Sequence, residues 1–132
     1  MARILLIDDD RDLAYLTRLS LLPKGHDILP FHDAQKAMEA AKQQKPDLIL
    51  MDIMLPGVSG AEAVKQLRKD PNLQNVPVVF LTGLISSAEE DVEKTGINID
   101  GRTYQTLGKP YEIEDLLKVI EQTLNRTAGL KK

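Results

Sequence analysis

Acidic side chains that could bind a cation follow two short apolar runs of this sequence. Three consecutive aspartates, Asp8, Asp9 and Asp10, follow the first run, and Asp52 follows the second. If the runs are neighbouring parallel strands, these carboxylates converge at one edge of a sheet, where they repel each other unless a cation joins them. Mg²⁺ suits such oxygen ligands, whereas a chain with no cysteine and two histidines disfavours zinc. We interpret Asp10 as a helix N-cap rather than a ligand.

A hydroxyl group and an ammonium group follow two further candidate strands. Thr82 and Gly83 come directly after residues 78–81, and Lys109 closely follows a fifth candidate strand at 104–107. Each of these features alone is typical of an ordinary turn or loop. Their occurrence after successive strands favours one shared site, with carboxylates, a hydroxyl and an ammonium at the same edge of the sheet.

Short unbroken apolar runs predict the strands that position these residues. The runs at 4–7, 48–51 and 78–81 show no polar alternation, which indicates strands covered on both faces. A weaker run at 28–31 contains Pro30, which cannot donate a ladder hydrogen bond and therefore favours an edge strand.

Stretches with helical spacing separate the runs. Leucines at 13, 16, 19 and 22 recur every three residues and are followed by the helix-ending Pro23 and Gly25. The predicted helices cover about 13–22, 34–45, 60–69, a stretch that begins with the capping box of Ser87 and Glu90, and about 112–125. Alternating strands and helices predict an α/β fold with a parallel sheet between two helical layers.

Composition limits the class of protein. The chain has 132 residues and a net charge of −3, which fits a single domain. It lacks the basic surplus of general nucleic-acid binders, and no apolar run approaches the roughly 18 residues of a membrane span. We therefore expect a cytoplasmic protein with no direct nucleic-acid or membrane binding. We interpret His26 and His32 as surface or edge residues.

The motifs together resemble those of a two-component response-regulator receiver domain. The matching segments are Ile-Leu-Leu-Ile-Asp-Asp-Asp at 4–10, Pro-Asp-Leu-Ile-Leu-Met-Asp-Ile-Met-Leu-Pro-Gly-Val-Ser-Gly at 46–60, Val-Pro-Val-Val-Phe-Leu-Thr-Gly at 76–83, and Lys-Pro-Tyr at 109–111. The resemblance implies a doubly wound, flavodoxin-like (βα)5 fold with five parallel strands in the order 2-1-3-4-5. It also implies a stand-alone, chemotaxis-regulator-like receiver over residues 1–125, with 126–132 as a short tail that frays.

The same resemblance implies a phosphoacceptor site. Asp52 would accept a phosphoryl group from a sensor histidine kinase or a histidine phosphotransfer protein. Mg²⁺ would be held by Asp9, Asp52 and the backbone carbonyl of Met54, with Asp8 acting mainly through coordinated water. Lys109 would contact the phosphoryl oxygens.

Further roles carry over to single positions of the motifs. Thr82 would hydrogen-bond the phosphoryl group, and the backbones of Met54 and Gly83 would lie beside it. The structural positions would be Pro56, Gly60 and Pro110, the last preceded by a cis peptide that aims Lys109 into the site.

The chain departs from the family pattern in two places. Receivers commonly carry an aromatic residue three positions before the lysine, where this chain has Thr106; its aromatic is Tyr104, on the same face of the strand. The switch candidates are therefore Thr82, Tyr104 and Thr106. The chain is also longer than expected at 96–104, where Asp-Gly between apolar residues predicts a small two-residue hairpin that alters a partner-binding surface.

As a receiver, the chain would signal by phosphorylation-dependent protein binding. Its target would meet the face formed by the fourth helix, the fifth strand and the last helix, and its catalysis would be limited to its own phosphorylation and dephosphorylation. One alternative is a receiver fragment of a larger hybrid kinase or regulator. An aspartyl-nucleophile phosphohydrolase is disfavoured, because Met54 stands where a second acid is expected. A flavin-binding electron carrier is disfavoured because residues 8–10 would repel phosphate.

Overall fold

The computed structural model describes residues 2–55, 58–82, 97–99, 101–109 and 111–130. Its strands are β1 (Ala2–Ile7), β2 (His26–Phe31), β3 (Leu48–Asp52), β4 (Met54–Leu55), β5 (Val58–Ser59), β6 (Val78–Thr82), β7 (Ile97–Ile99) and β8 (Arg102–Gly108). Its helices are α1 (Arg11–Leu21), α2 (Ala34–Gln44), α3 (Gly60–Lys69) and a C-terminal helix (Ile113–Leu130), with a 3₁₀ turn at Leu22–Lys24. The predicted helix that begins at Ser87 lies outside the described residues.

The main sheet has six strands in the order β2-β1-β3-β6-β8-β7. The first five are parallel, and in chain order they have the arrangement 2-1-3-4-5, so the predicted fold class is confirmed. The strand that contains Pro30 lies at one edge of the sheet, as predicted. The central strands β1 and β3 are buried on both faces, which explains their unbroken apolar sequence.

Two apolar clusters fix the sheet between its helical layers. Alternate residues of β1 and β3, such as Leu5 and Ile49, pack in one cluster with residues of α2 and α3. Their neighbours Leu6 and Leu50 pack on the other side with residues of α1 and the C-terminal helix. The carboxyl ends of the parallel strands are thereby held at one edge, which is where the candidate site residues lie.

The predicted hairpin is present at the far edge of the sheet. Strand β7 pairs antiparallel with β8, and Ile99 lies opposite Arg102. Gly101 occupies the turn with φ of +83°, a backbone conformation that favours glycine. The added strand β7 covers the edge of β8, which would otherwise end the sheet.

The helix α1 forms as predicted, but three leucines of the predicted repeat do not face the core. Leu16, Leu19 and Leu22 are 59%, 48% and 49% exposed, whereas the inward positions are Ala14, Thr17 and Leu21. A step of three residues falls short of a full helical turn by about 60°, so a strict three-residue repeat winds around the helix instead of following one face. The 3₁₀ turn that follows α1 ends at Gly25, which adopts the left-handed conformation.

The C-terminal helix continues to Leu130, five residues beyond the predicted end at Asn125. No proline follows Asn125 to stop the helix. The start of the predicted tail is therefore helical. Among the described residues, no helix combines the length and the apolar character needed to cross a membrane.

Gly60 begins α3 in a position with no room for a side chain. A Cβ at this position would lie 2.8 Å from Cε1 of Phe80 and 3.3 Å from Cα of Ile53. We expect Gly60→Ala to lower the free energy of unfolding by about 1–3 kcal/mol, because the ring of Phe80 and the backbone of Ile53 must move. Urea unfolding followed by circular dichroism measures this loss.

An exposed position of the same helix provides the control for Gly60→Ala. Lys65 is exposed, so Lys65→Ala should leave the urea concentration at the unfolding midpoint nearly unchanged. If Gly60→Ala unfolds at the same urea concentration as the wild-type protein, the close packing of Gly60 against Phe80 is not a constraint on the fold.

Candidate functional site

The loop after β1 presents two carboxylates to the carboxyl edge of the sheet and uses a third to start a helix. Asp8 is buried, and its Oδ1 accepts a hydrogen bond from the backbone N–H of Asp10 at 2.9 Å. The Asp10 side chain in turn accepts from the backbone N–H of Leu13 at 3.1 Å, which makes it the N-cap of α1, as predicted. Asp9, between them, is exposed.

Asp52 ends β3 beside these aspartates. Strands β1 and β3 pair in parallel with Ile7 opposite Met51, so the residues that follow them meet at the edge of the sheet. Asp52 is only 6% exposed. One carboxylate oxygen from each of Asp8, Asp9 and Asp52 lies within 4.8 Å of the others. The structure therefore brings together the three carboxylates that the sequence analysis grouped.

Lys109 joins two of these carboxylates. Its Nζ lies 2.9 Å from Oδ2 of Asp8 and 3.1 Å from Oδ2 of Asp52. Burial by itself would lower the pKa of the ammonium, but the hydrogen bonds and charges of Asp8 and Asp52 outweigh it, so the pKa of Lys109 lies above its ordinary value. Lys109 is therefore positively charged at neutral pH and offsets part of the carboxylate charge.

The carboxyl of Asp8 is the most strongly desolvated of the three. Burial raises the pKa of Asp8, and the nearby charge of Asp52 adds to this rise, while the N–H of Asp10 and the ammonium of Lys109 oppose it. Oδ2 of Asp8 is buried and makes no geometrically good hydrogen bond within the described part of the chain, although it forms the ion pair with Lys109. Among the described residues, the ammonium of Lys109 pairs with two of the three carboxylates and thus offsets only part of their charge.

This donor set fits a hard divalent cation. Three carboxylates offer oxygen ligands, one of them from an exposed residue that water can reach, and Mg²⁺ characteristically keeps several waters beside one or two carboxylates. Asp8, Asp9 and Asp52 are the residues that could hold the ion.

We expect Mg²⁺ to raise the unfolding temperature of the protein in proportion to its binding. At a Mg²⁺ concentration ten times the dissociation constant, the gain in unfolding free energy is about 1.4 kcal/mol. Asp9→Asn removes one ligand charge and should abolish most of this gain, which thermal unfolding at increasing Mg²⁺ concentrations would measure.

Asp12→Asn is the matched control for the Mg²⁺ experiment. Asp12 is an exposed aspartate in the first turn of α1 and is not part of the carboxylate cluster. Its substitution should leave the Mg²⁺ response as in the wild-type protein. An equal Mg²⁺ response in Asp9→Asn and wild type would contradict the assignment of the ion to this cluster.

For two of the other predicted site residues the structure gives the position of the backbone, and three lie outside the described residues. Thr82 ends β6 and pairs with Gly108, directly before Lys109. Met54 follows Asp52 closely, in the short strand β4 that pairs with β5. The predicted positions Gly83, Pro56 and Pro110 lie outside the described residues.

The two switch candidates on β8 are buried on the same face. Tyr104 and Thr106 are 5% and 2% exposed. The hydroxyl of Tyr104 accepts a hydrogen bond from Nε of Arg68 at 2.9 Å, and its ring meets that of Phe80 edge-on with centroids 5.8 Å apart. The aromatic ring of β8 is therefore packed inward against α3 and β6.

The sequence analysis missed the contact between His32 and the acidic loop. His32 does follow the edge strand β2, as expected, but its Nδ1 lies 2.8 Å from the backbone carbonyl of Asp8. Because a carbonyl oxygen only accepts, Nδ1 carries the proton in this contact. The backbone N–H of Asp8 also donates to the carbonyl of Phe31, so the end of β2 holds the backbone of Asp8 at two points. The sequence contains no local signal for this contact, because the two residues are 24 positions apart.

Comparison with known proteins identifies a shared family pattern over most of the chain. Residues 4–121 match the sequence model of the response regulator receiver domain. The chain is 36% identical over 125 residues to protein PilH of Pseudomonas aeruginosa, and the match covers 94% of this chain and 98% of PilH. It is 34% identical to the DNA-binding dual master transcriptional regulator RpaA of Synechocystis, of which the match covers 51%. The chain thus spans about half the length of RpaA and nearly all of PilH.

Solved structures show the same arrangement of elements. The chemotaxis protein CheY4 of Vibrio cholerae superposes with a TM-score of 0.77 at 25% identity, covering 92% of this chain and 98% of CheY4. NtrX of Brucella abortus gives a TM-score of 0.81 at 27% identity, covering 98% of this chain and 28% of NtrX.

Proposed function

Because this chain belongs to the response regulator receiver domain family, whose members act in two-component signalling, we propose that Asp52 accepts a phosphoryl group from a phosphohistidine. The donor would be a sensor histidine kinase or a histidine phosphotransfer protein. Receiver domains are signalling proteins rather than classical enzymes, and the catalysis proposed for this chain is confined to its own phosphorylation and dephosphorylation.

The environment of Asp52 is the observation that carries this proposal. Asp52 is 6% exposed at the end of a central strand, with the ammonium of Lys109 at 3.1 Å and the carboxylates of Asp8 and Asp9 beside its own. Phosphoryl transfer depends mainly on positioning and on neutralising charge. A nucleophilic carboxylate held next to a fixed cation meets both needs.

The proposed step moves one phosphoryl group between two proteins. A carboxylate oxygen of Asp52 attacks the phosphorus, an O–P bond forms, and the N–P bond to the donor imidazole breaks. The electron pair of the broken bond stays on the imidazole nitrogen. Lys109 neutralises negative charge on the phosphoryl oxygens as they approach Asp52.

The carboxylate cluster would hold Mg²⁺ for this step. Asp9, Asp52 and the backbone carbonyl of Met54 are the proposed ligands, with Asp8 acting through coordinated water. When bound, the ion supplies positive charge that draws the phosphoryl oxygens to the site. The buried carboxylate of Asp8, whose Oδ2 has the ammonium of Lys109 as its ion-pair partner, and the oxygen-only donor set support this assignment.

Phosphorylation would act on the protein by shifting its conformational population. We propose that Thr82 and the backbone of Gly83 contact the new phosphoryl group and that a downstream protein binds the resulting state more tightly. A target protein that binds beside β8 would contact the edge of β7, because the hairpin adds that strand to the sheet. The hairpin therefore gives the proposed target-binding surface of this chain an additional strand.

Incubation with acetyl phosphate and Mg²⁺ tests the proposal without a partner protein. Intact-protein mass spectrometry should detect a mass gain of one phosphoryl group, and EDTA should prevent it. A chain that gains no mass under conditions in which a known receiver is phosphorylated would contradict the proposed function.

A further inference from the structure

A contact between two hydroxyl groups, one buried and one partly buried, connects α1 to Tyr111, two residues after Lys109. Oγ1 of Thr17 lies 2.9 Å from the phenolic oxygen of Tyr111, although the two residues are 94 positions apart. Thr17 is 1% exposed and faces inward from the middle of α1. The proposed function assigns no role to this pair.

The phenol of Tyr111 lies within electrostatic reach of the site. Burial raises the pKa of Tyr111; the charge of Asp8 raises it further, while the hydrogen bond to Thr17 and the charge of Lys109 oppose the rise. The phenol is therefore protonated at neutral pH and can donate a hydrogen bond. Its ring packs against the apolar cluster between the sheet, α1 and the C-terminal helix.

The contact between Thr17 and Tyr111 joins the two parts of the chain that contain Asp8 and Lys109, which form an ion pair. Asp8 lies in the loop that leads into α1, and Lys109 lies two residues before Tyr111. A lysine side chain is long and flexible, so its ammonium stays between two carboxylates only if its backbone is fixed relative to them. The hydroxyl contact connects Tyr111, two residues after Lys109, to the helix that begins after Asp8.

We propose that Tyr111 and Thr17 are positioning residues that hold Lys109 in place for phosphoryl transfer to Asp52. The inference rests on the proposed function of Asp52. In this proposal the ring of Tyr111 stabilises the core by packing, and its hydroxyl group positions Lys109 through the contact with Thr17. These two contributions separate when the hydroxyl is removed and the ring is kept.

The test compares substitutions that remove one hydroxyl with substitutions that retain it. Tyr111→Phe and Thr17→Val each break the contact while keeping the side-chain shape, and Thr17→Ser retains the hydroxyl. Tyr15→Phe removes the hydroxyl of an exposed tyrosine on the same helix and serves as the control. For each variant, the phosphorylation rate at increasing acetyl phosphate concentrations and the Mg²⁺ concentration for half-maximal stabilisation are measured.

We expect Tyr111→Phe and Thr17→Val each to lower the maximal phosphorylation rate about fivefold, the effect of one lost hydrogen bond. The double variant should be no slower than either single variant, because both remove the same contact. Thr17→Ser and Tyr15→Phe should react like the wild-type protein. The Mg²⁺ dependence should be unchanged, because the hydroxyl pair does not hold the carboxylates.

Either of two results would overturn the inference. One is an unchanged maximal rate in Tyr111→Phe and Thr17→Val. The other is a slower rate accompanied by an equal loss of Mg²⁺ affinity and by additive effects in the double variant, which would indicate a general loss of structure. Failure of the wild-type protein itself to accept a phosphoryl group would instead refute the proposed function, so the two failures are distinguishable.

Discussion

Asp52→Asn is expected to abolish the phosphoryl mass gain completely while the protein remains folded. The amide that replaces the carboxylate has nearly the same shape, but it is not an anionic nucleophile and cannot form an acyl phosphate. The substitution also removes one of three carboxylates that lie within 4.8 Å of one another, so mutual repulsion in the cluster falls. Mass spectrometry after incubation with acetyl phosphate and Mg²⁺ measures the loss, and circular dichroism reports the fold.

Asp27→Asn is the matched control for the phosphoacceptor variant. Asp27 lies near the start of β2, at the opposite end of the sheet from the carboxylate cluster. It should be phosphorylated like the wild-type protein. If Asp52→Asn gained the same mass as Asp27→Asn, the phosphoacceptor would be another residue.

Lys109→Ala is expected to slow phosphorylation by about 10²–10³-fold, the usual consequence of removing one fixed group that stabilises charge in the transition state. In the native protein the ammonium lies 2.9 Å from Asp8 and 3.1 Å from Asp52. Its removal leaves the buried carboxylate of Asp8 without its cation. Lys118→Ala, at an exposed position of the C-terminal helix, should react at the wild-type rate.

The stability of Lys109→Ala should depend on pH with a definite sign. Burial already raises the pKa of Asp8, and loss of the ammonium, which lowers it, raises it further. A carboxyl whose pKa is raised on folding favours the folded state only where it is protonated, and this contribution is lost as the pH rises through the raised pKa. The variant should therefore be least stable relative to wild type near neutral pH and should recover part of this loss as the pH falls through the raised pKa of Asp8 toward the ordinary value of 3.8.

Thermal unfolding without Mg²⁺ over this pH range tests the electrostatic role of Lys109. A constant difference in unfolding temperature between Lys109→Ala and wild type would contradict it, since a loss of packing alone does not titrate. Lys109→Met retains most of the apolar stem and should show the same pH dependence as Lys109→Ala.

Local patterns in the sequence were sufficient to predict the sheet and the convergence of the site. The unbroken apolar runs predicted strands buried on both faces, and parallel order then brought Asp8 and Asp52 to one edge. The hairpin at β7 and β8 was predictable because Asp-Gly specifies a tight turn by its own backbone preference. In each of these cases the signal lies within a few adjacent residues.

Contacts between distant segments were not predictable in this way. The leucine repeat of α1 did not reveal that Thr17 faces the core, because a three-residue spacing does not follow one face of a helix. The contacts of His32 with Asp8 and of Tyr111 with Thr17 join residues brought together only by the folded sheet. The sequence therefore indicated which groups form the site, and the structure revealed which groups hold them in place.

Chemical trapping of the phosphorylated residue tests the central claim most directly. Borohydride reduces an aspartyl phosphate to homoserine, which peptide mass spectrometry can assign to a single position. After incubation of the wild-type protein with acetyl phosphate and Mg²⁺, we expect homoserine at position 52, and none when EDTA is present. Homoserine at another aspartate, or a phosphoryl mass gain that yields no homoserine, would contradict the account.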